Sequence, residues 1–464
     1  MQPIQLNAHF REFTGDLDTP VSVYLKLKES PSFLLESVTG GEHIARYSFI
    51  GFDPLWTYTF ENGKSVVSDP QLQTLLKHHP IDDLQRLIQN YTLKASDDFP
   101  SLVGGAVGFF SWEIIEYIES ITLSQHSDVP VAHYIFPKSL VIFDHAKRSM
   151  VLVTLSQDQN IAEVEKRLDD IEAKLHKPLQ ASPIPLHQQT PENILDHVKT
   201  NMTPEQYCNR VEEGKKHIFE GDVFQLVLSQ RFETPQTKTP FDVYRNLRLI
   251  NPSPYMFFMD VGHFQLSGSS PEILVKVNQK KAIVRPIAGT RPRIKGLEKK
   301  VIDDLLADEK EKSEHIMLVD LGRNDLGRVC DYDTIEVNPL MEIEAYSHVY
   351  HMVSQVEGQL SDGKTAFDVF KATFPAGTLS GAPKIRAIEI IDELEPTPRG
   401  LYGGALGYFD VRGNMDLCII IRTVFARNKQ FSIQAGAGIV ADSDPKTEYQ
   451  ESLNKAKGML LSLL

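Results

Sequence analysis

The sequence predicts an α+β protein in which large antiparallel β-sheets pack face to face with helices outside, as two interlocked lobes. Three observations lead there. β-rich runs crowd the chain before residue 155, among them Ser32-Phe-Leu-Leu-Glu-Ser37, Arg46-Tyr-Ser-Phe-Ile-Gly51 and Ser139-Leu-Val-Ile-Phe-Asp144. The strands of the second half lack a regular βαβ rhythm and any GxGxxG or GxxxxGK[ST] signature, which disfavours a nucleotide-binding doubly wound sheet. The 464 residues, 41% of them hydrophobic, suffice for two or three average domains or one large interlocked one.

In chain order, residues 81–91 have helical periodicity and 161–175 form a charged amphipathic helix. Gly104-Gly-Ala-Val-Gly-Phe-Phe110 is echoed by Gly403-Gly-Ala-Leu-Gly-Tyr-Phe409, too short a match to define a repeat. Residues 178–191 carry Pro, Gln, His and Ser without periodicity, the composition of a linker. The boundaries are therefore an N-terminal lobe over 1–177, a linker over 178–201 and a second domain over 202–464. Thr203-Pro-Glu-Gln206 has capping-box spacing and starts a helix that runs to about residue 219. Strands are expected at 221–231, 264–267, 282–286 and 417–425. Near the end, Glu311-Lys-Ser-Glu314 and Glu448-Tyr-Gln-Glu451 each place two carboxylates three residues apart, on one face of a helix.

The formal charge of −14 and the lack of a long Lys/Arg stripe exclude nucleic acid and anionic membrane as natural partners. Cys208, Cys330 and Cys418 have no CxxC spacing, which suits a reducing compartment without a zinc site, and none has a nucleophile's context. The N-terminus has no basic region followed by an apolar core, and no apolar run approaches about 18 residues. A cytoplasmic location is expected.

Several constellations in the second half carry chemistry. Paired like charges on a helix face ask for a cation, a basic partner or plain solvent. The small-residue turn Gly377-Thr-Leu-Ser-Gly-Ala-Pro-Lys384 lets backbone N–H groups approach an anion, or simply starts a helix. The alternate glycines of Gln434-Ala-Gly-Ala-Gly438 mark a ligand against the backbone, a bulge or tight sheet packing. Arg422, within Cys418-Ile-Ile-Ile-Arg-Thr-Val-Phe425, needs a carboxylate or an anionic ligand to offset its desolvation. Glu272, after Ser270-Pro271, is a surface acid unless it faces the glycine turns, where burial raises its pKa and suits it to general-acid work. His351 alternates with apolar residues, the pattern of a core histidine. The polar end of 318–325 reads as a network locking a helix terminus.

Together these segments resemble the chorismate-utilising enzymes, and among them the component I chains of anthranilate synthases, over nearly the whole length. The carriers are Pro286-Ile-Ala-Gly-Thr-Arg-Pro-Arg293, Ser313-Glu-His-Ile-Met-Leu-Val-Asp-Leu-Gly-Arg-Asn-Asp325, Gly377-Thr-Leu-Ser-Gly-Ala-Pro-Lys384, Arg399-Gly-Leu-Tyr-Gly-Gly404 and Gln434-Ala-Gly-Ala-Gly438. The resemblance implies that 202–464 is a chorismate-binding catalytic domain. It assigns Glu314 and Glu451 as ligands of one Mg²⁺, with Glu311 and Glu448 acting through water, the division Mg²⁺ prefers. It gives Arg422 and Tyr402 to the enolpyruvyl carboxylate, Thr378, Gly436, Ala437, Gly438 and Lys455 to the substrate lining, Glu272 to the general acid and His351 to the later loss of pyruvate. The implied reaction converts chorismate and ammonia to anthranilate and pyruvate through aminodeoxyisochorismate, the first step of tryptophan synthesis.

Related isochorismate and salicylate synthases use a lysine base where this chain has Gln225. An amide cannot take a proton from water, so ammonia is the expected nucleophile. The alternative is component I of aminodeoxychorismate synthase, in folate synthesis, where many members carry lysine at Ala288 and Thr-Gly at Ser380-Gly381; both positions favour anthranilate. Leu34-Leu-Glu-Ser37 and Asn251-Pro-Ser-Pro-Tyr-Met256 resemble the segments that enclose inhibitory tryptophan, which assigns Glu36, Ser37, Pro254, Tyr255 and Met256 to a regulatory site. No Gly-x-Cys-x-Gly nucleophile elbow occurs, so the resemblance implies ammonia from a separate glutamine amidotransferase subunit in a hetero-oligomer.

Overall fold

The structure, a computed structural model, describes residues 3–37, 46–94, 100, 102–157, 160–184, 194–195, 198–345 and 349–464. Among these, 21 strands join into one curled hydrogen-bonded network and three more form a small separate sheet. The pairings are antiparallel apart from Ile4–Thr14 with Tyr91–Lys94. Helices cover the outside, giving the expected α+β architecture.

The two glycine-rich echoes are neighbours in space. Gly105–Phe110 pairs directly with Ala405–Asp410, Gly108 opposite Gly407, so the similar sequences meet edge to edge and join the two lobes. A second seam runs through Ser32–Glu36, which pairs with Tyr255–Asp260 and sets Glu36 opposite Met256. One apolar core consequently draws on both lobes. Phe110 stacks on Phe370 at 4.7 Å and Phe367 on Phe409 at 4.3 Å. Fully burying one such ring contributes roughly 1.5–3 kcal/mol, and offset stacking adds to it.

Local signals held where they were chemical. Thr203 caps helix Pro204–Phe219 and Gln206 reciprocates, its side chain accepting from the Thr203 N–H at 2.8 Å. Helices fill Pro80–Gln89 and Ile161–Leu175. Residues 178–184 carry no regular structure, the linker positions 185–193 and 196–197 lie outside the described residues, and Lys199–Thr200 is already a short strand against Phe232 and Glu233. No helix among the described residues is long and apolar enough to cross a membrane.

Two strand expectations need correction. The strand expected at 221–231 begins only at Gln225 and continues to Pro235. Gly221 instead takes a left-handed φ of 85° that ends the preceding helix, and Asp222 folds back onto His217. The strand expected at 417–425 is two, Met415–Ile419 and Thr423–Arg427, broken at Arg422, whose φ is 52°. A non-glycine residue held there costs about 1–3 kcal/mol, which the surrounding structure must offset.

Candidate active site

The cleft floor is strand Gln430–Ile439, paired with Gln225–Pro235 and backed by helix Pro445–Ser462. Its two glycines have different reasons. A Cβ on Gly436 would stand 2.3 Å from the Leu228 carbonyl, so close sheet packing demands glycine there. A Cβ on Gly438 would meet the Gln225 amide nitrogen at 3.0 Å, so this glycine makes room for a side chain. Gln225 is 5% exposed, and its amide oxygen has no hydrogen-bond partner among the described residues. Strand alternation turns the Ala437 methyl to the opposite face, leaving only its backbone for a ligand.

Arg399 braces one side of the cleft. Fully buried, it pairs with Glu395 at 2.7 Å and donates to the carbonyls of Leu379 and Val227, each at 2.7 Å. It thereby ties the 377–384 turn to strand Gln225–Pro235. The same guanidinium lies over the rings of Trp112, at 4.4 Å, and Tyr402, at 5.5 Å. Thr378 projects from this turn and donates a 2.8 Å hydrogen bond to Glu272. Desolvation pushes the Glu272 carboxyl up to about 7, against the opposing influence of Thr378 and Lys455. Glu272 is therefore no surface acid. Tyr402 is pushed up to about 12 by burial and stays neutral.

Arg422 faces the same space. Its Nη1 donates to the Lys455 carbonyl at 2.7 Å, and it makes no ion pair among the described residues. Burial lowers its pKa, and Tyr402 and Glu451 act in the opposite direction. A desolvated guanidinium without a carboxylate is matched to an anionic ligand rather than to a structural salt bridge. Lys455, one helical turn beyond Glu451, pairs with it at 2.6 Å.

The two acidic pairs lie on helices Glu309–Gly327 and Pro445–Ser462, at the spacing expected. The two helices lie close enough for their charged groups to act on one another. Burial raises Glu314, and the charges of Glu311 and Glu451 raise it further; burial and Glu451 do the same to Glu448. Lys310 and Lys455 pull both down. Carboxylates that repel one another offer the hard oxygen donors Mg²⁺ takes, so the residues fit that ion. Within the described residues, only His217, Glu220 and Asp222 bring three such groups within 4.8 Å, and Arg386 already holds Asp222 at 2.8 Å. Glu311, Glu314, Glu448 and Glu451 do not bring three ligand atoms within 4.8 Å among the described residues. Arg291 holds Glu311 at 3.0 Å while also binding Asp304 and Asp308.

His351 lies on Val349–Val353 in the three-stranded sheet, opposite Thr290. Its Nδ1 is 3.0 Å from the Thr290 hydroxyl and 3.3 Å from the Gly289 carbonyl. A carbonyl can only accept, which favours the tautomer protonated on Nδ1. Burial, aided by Arg422, lowers its pKa, so the ring is neutral at pH 7.

The segments singled out for tryptophan lie apart from this cleft. Glu36, 6% exposed, forms an ion pair with Arg248 at 2.8 Å and accepts from the Tyr244 hydroxyl. The Ser37 hydroxyl is buried without a partner among the described residues. Tyr255 donates to Asp416 at 2.9 Å, and Pro254 leads into its strand.

Other motif residues turned out structural. Lys384 of the glycine turn pairs with Asp325 at 3.1 Å and with the Thr373 carbonyl at 3.2 Å, which realises the helix-end network. Ser380 donates to the Ala376 carbonyl at 2.9 Å, inside its own turn. Sequence reasoning gave no role to Arg291, Lys310 or Arg399, though Arg291 and Arg399 stood inside quoted motifs. Cys208, Cys330 and Cys418 are all unpaired. A cavity of about 370 Å³ beyond Tyr402, lined by Arg231, Phe425 and Gln434, contains none of the cleft acids.

Comparison with known proteins bears on this cleft. Residues 30–461 match the family described as chorismate binding enzyme. An anthranilate synthase component 1 from Synechocystis sp. is 42% identical over 97% of this chain and 94% of its own length. That of Acetivibrio thermocellus is 41% identical with the same coverage, 97% and 94%. The crystal structure of anthranilate synthase component I from Streptococcus pneumoniae superposes with a TM-score of 0.81 at 38% identity, covering 96% of this chain and 98% of that one.

Proposed function

The chain belongs to the chorismate binding enzymes, and from that premise we propose that it converts chorismate and ammonia to anthranilate and pyruvate, the component 1 reaction of its relatives. The observation that carries this reading is that Tyr402 lies near both Glu272, a carboxyl near neutrality, and Arg422, a buried cation with no ion pair among the described residues. One is suited to protonate a leaving hydroxyl, the other to hold a carboxylate.

Arg422 and Tyr402 fix the enolpyruvyl carboxylate, and Thr378, Lys455 and the backbone of Gly436, Ala437 and Gly438 line the ring. Glu314 and Glu451 would hold Mg²⁺ directly, with Glu311 and Glu448 reaching it through water. When bound, the ion neutralises and orients the ring carboxylate. Glu272 gives its proton to the departing C4 oxygen as ammonia bonds to C2 of the ring. Gln225 accepts a hydrogen bond from the nucleophile through its amide oxygen, which has no partner among the described residues, but cannot serve as a base for water. Loss of the C2 proton, assisted by neutral His351, releases pyruvate and aromatises the ring. Fixing both carboxylates before attack lowers the entropic part of the barrier.

The same reading makes a glutamine amidotransferase partner the ammonia source, places the chain in the cytoplasm, where unpaired cysteines persist, and assigns Glu36, Ser37, Pro254, Tyr255 and Met256 to tryptophan feedback. The buried Ser37 hydroxyl, which has no partner among the described residues, supports the last assignment. Chorismate consumption followed by absorbance tests the proposal: loss that requires both ammonium and Mg²⁺ is expected, and equal loss without ammonium would refute it.

A further inference from the structure

Strand Phe264–Ser270 lies between Tyr255–Asp260 and Thr423–Arg427. On the first side Met256 stands opposite Ser269. On the second, the Ser269 N–H extends the ladder past Thr423 and donates to the Arg422 carbonyl at 3.1 Å. Ser269 is fully buried. Its hydroxyl donates to the Asn251 carbonyl, accepts from the Asn251 side-chain amide at 3.1 Å and lies 2.9 Å from the Ser253 hydroxyl. The Ser253 hydroxyl donates to the same Asn251 carbonyl at 3.4 Å. The next residue, Ser270, donates to the Ile419 carbonyl at 2.7 Å, and Ile419 N–H returns to the Glu272 carbonyl at 3.1 Å. One strand end thus fixes the backbone of both the carboxylate anchor and the acid, and a single side chain on it grips the 251–254 turn.

We propose that Ser269 is a positioning residue: its main-chain N–H holds the left-handed Arg422 and its hydroxyl fixes that strand end to the 251–254 turn, so that a ligand shifting this turn changes the affinity for chorismate. The geometry supplies a contiguous element that both sites bias, which is what energetic coupling requires. Other polar groups on the strand do not do this: the Ser267 hydroxyl goes to the Pro240 carbonyl. The regulatory half of the inference rests on the tryptophan reading above; the positioning half does not.

The test measures chorismate binding by calorimetry on the full chain with Mg²⁺ and without ammonium, alongside steady-state turnover. Ser269→Ala should weaken binding five- to tenfold with kcat within twofold of wild type. Ser253→Ala, which leaves the bonds between the Ser269 hydroxyl and Asn251 in place, should weaken it about twofold, and the double variant should bind no worse than Ser269→Ala alone. In Ser269→Ala, tryptophan should bind as in wild type yet lose most of its effect on chorismate. Chorismate affinity within twofold of wild type in Ser269→Ala, or additive losses in the double variant, would overturn the proposal. Wild-type protein that binds no tryptophan would remove the regulatory half, and the chorismate shift would still decide the positioning half.

Discussion

Glu272 Oε1 accepts a 2.8 Å hydrogen bond from the Thr378 hydroxyl, which ties the carboxyl of the 270–272 turn to the glycine-rich turn 106 residues away in sequence. The bond favours the ionised form, and burial opposes it more strongly, so the carboxyl settles at about 7. An acid catalyst must hold its proton, and activity normalised to free ammonia should therefore fall as pH rises through about 7. Thr378→Val removes a group that favours the anion, so the folded pKa rises and this limb moves to higher pH. A pH profile of kcat in the two proteins measures the shift.

Replacing Glu272 by Gln should lower kcat by about 10²–10⁴-fold, the range for a positioned acid. Stability should change in the opposite sense. Because the folded-state pKa lies above the ordinary carboxyl value, the native state binds more protons than the unfolded one between pH 4.5 and 7, and wild-type stability drops as pH rises across that window. Glu272→Gln abolishes this loss, so its melting temperature at pH 8 should exceed that of wild type.

The two acidic pairs predict metal-linked stability. Saturating Mg²⁺, at about 100 times its dissociation constant, should stabilise wild type by about 2.7 kcal/mol in a thermal melt. Glu451→Gln should lose most of this shift together with Mg²⁺-dependent turnover, while keeping the native circular dichroism spectrum. Without Mg²⁺ it should melt no lower than wild type, because a like charge acting on Glu314 and Glu448 is gone.

Arg422 combines strain with binding. Arg422→Asn places a residue tolerant of left-handed backbone at φ 52° and relieves a desolvated charge, so the melting temperature should rise. Chorismate KM should increase by roughly 10–100-fold, since charge-assisted hydrogen bonds contribute about 1.5–3 kcal/mol each. Steady-state kinetics with differential scanning calorimetry separates the two effects.

At the second site, millimolar tryptophan should inhibit wild type, and Ser37→Ala should weaken that inhibition about fivefold, the worth of one hydrogen bond of about 1 kcal/mol. Glu36→Ala should destabilise the fold by about 3 kcal/mol, because it strands the Arg248 and Tyr244 groups that now share the carboxylate.

What the sequence made legible was local. The capping box at Thr203 and Gln206 and the three-residue spacing of Glu311 with Glu314 are set by helix geometry and needed no tertiary information. The break at Arg422 was invisible, because Ile-Ile-Ile-Arg-Thr-Val-Phe is uniformly β-forming and long-range packing bends it there. The resemblance located the cleft residues. It could not show that Arg291 clamps Glu311, or that Glu36 meets Arg248 across 212 positions, since both pairs depend on which helix packs against which strand.

The most direct test is the identity of the product formed when the full chain meets chorismate, Mg²⁺ and ¹⁵N-labelled ammonium, resolved by mass and by the labelled position. Labelled anthranilate with an equal amount of pyruvate is the result predicted from Gln225, Glu272 and Arg422. Labelled 4-amino-4-deoxychorismate with no pyruvate would contradict it, moving the attack from C2 to C4 and removing Ala288 and Ser380 as marks of an anthranilate-forming site.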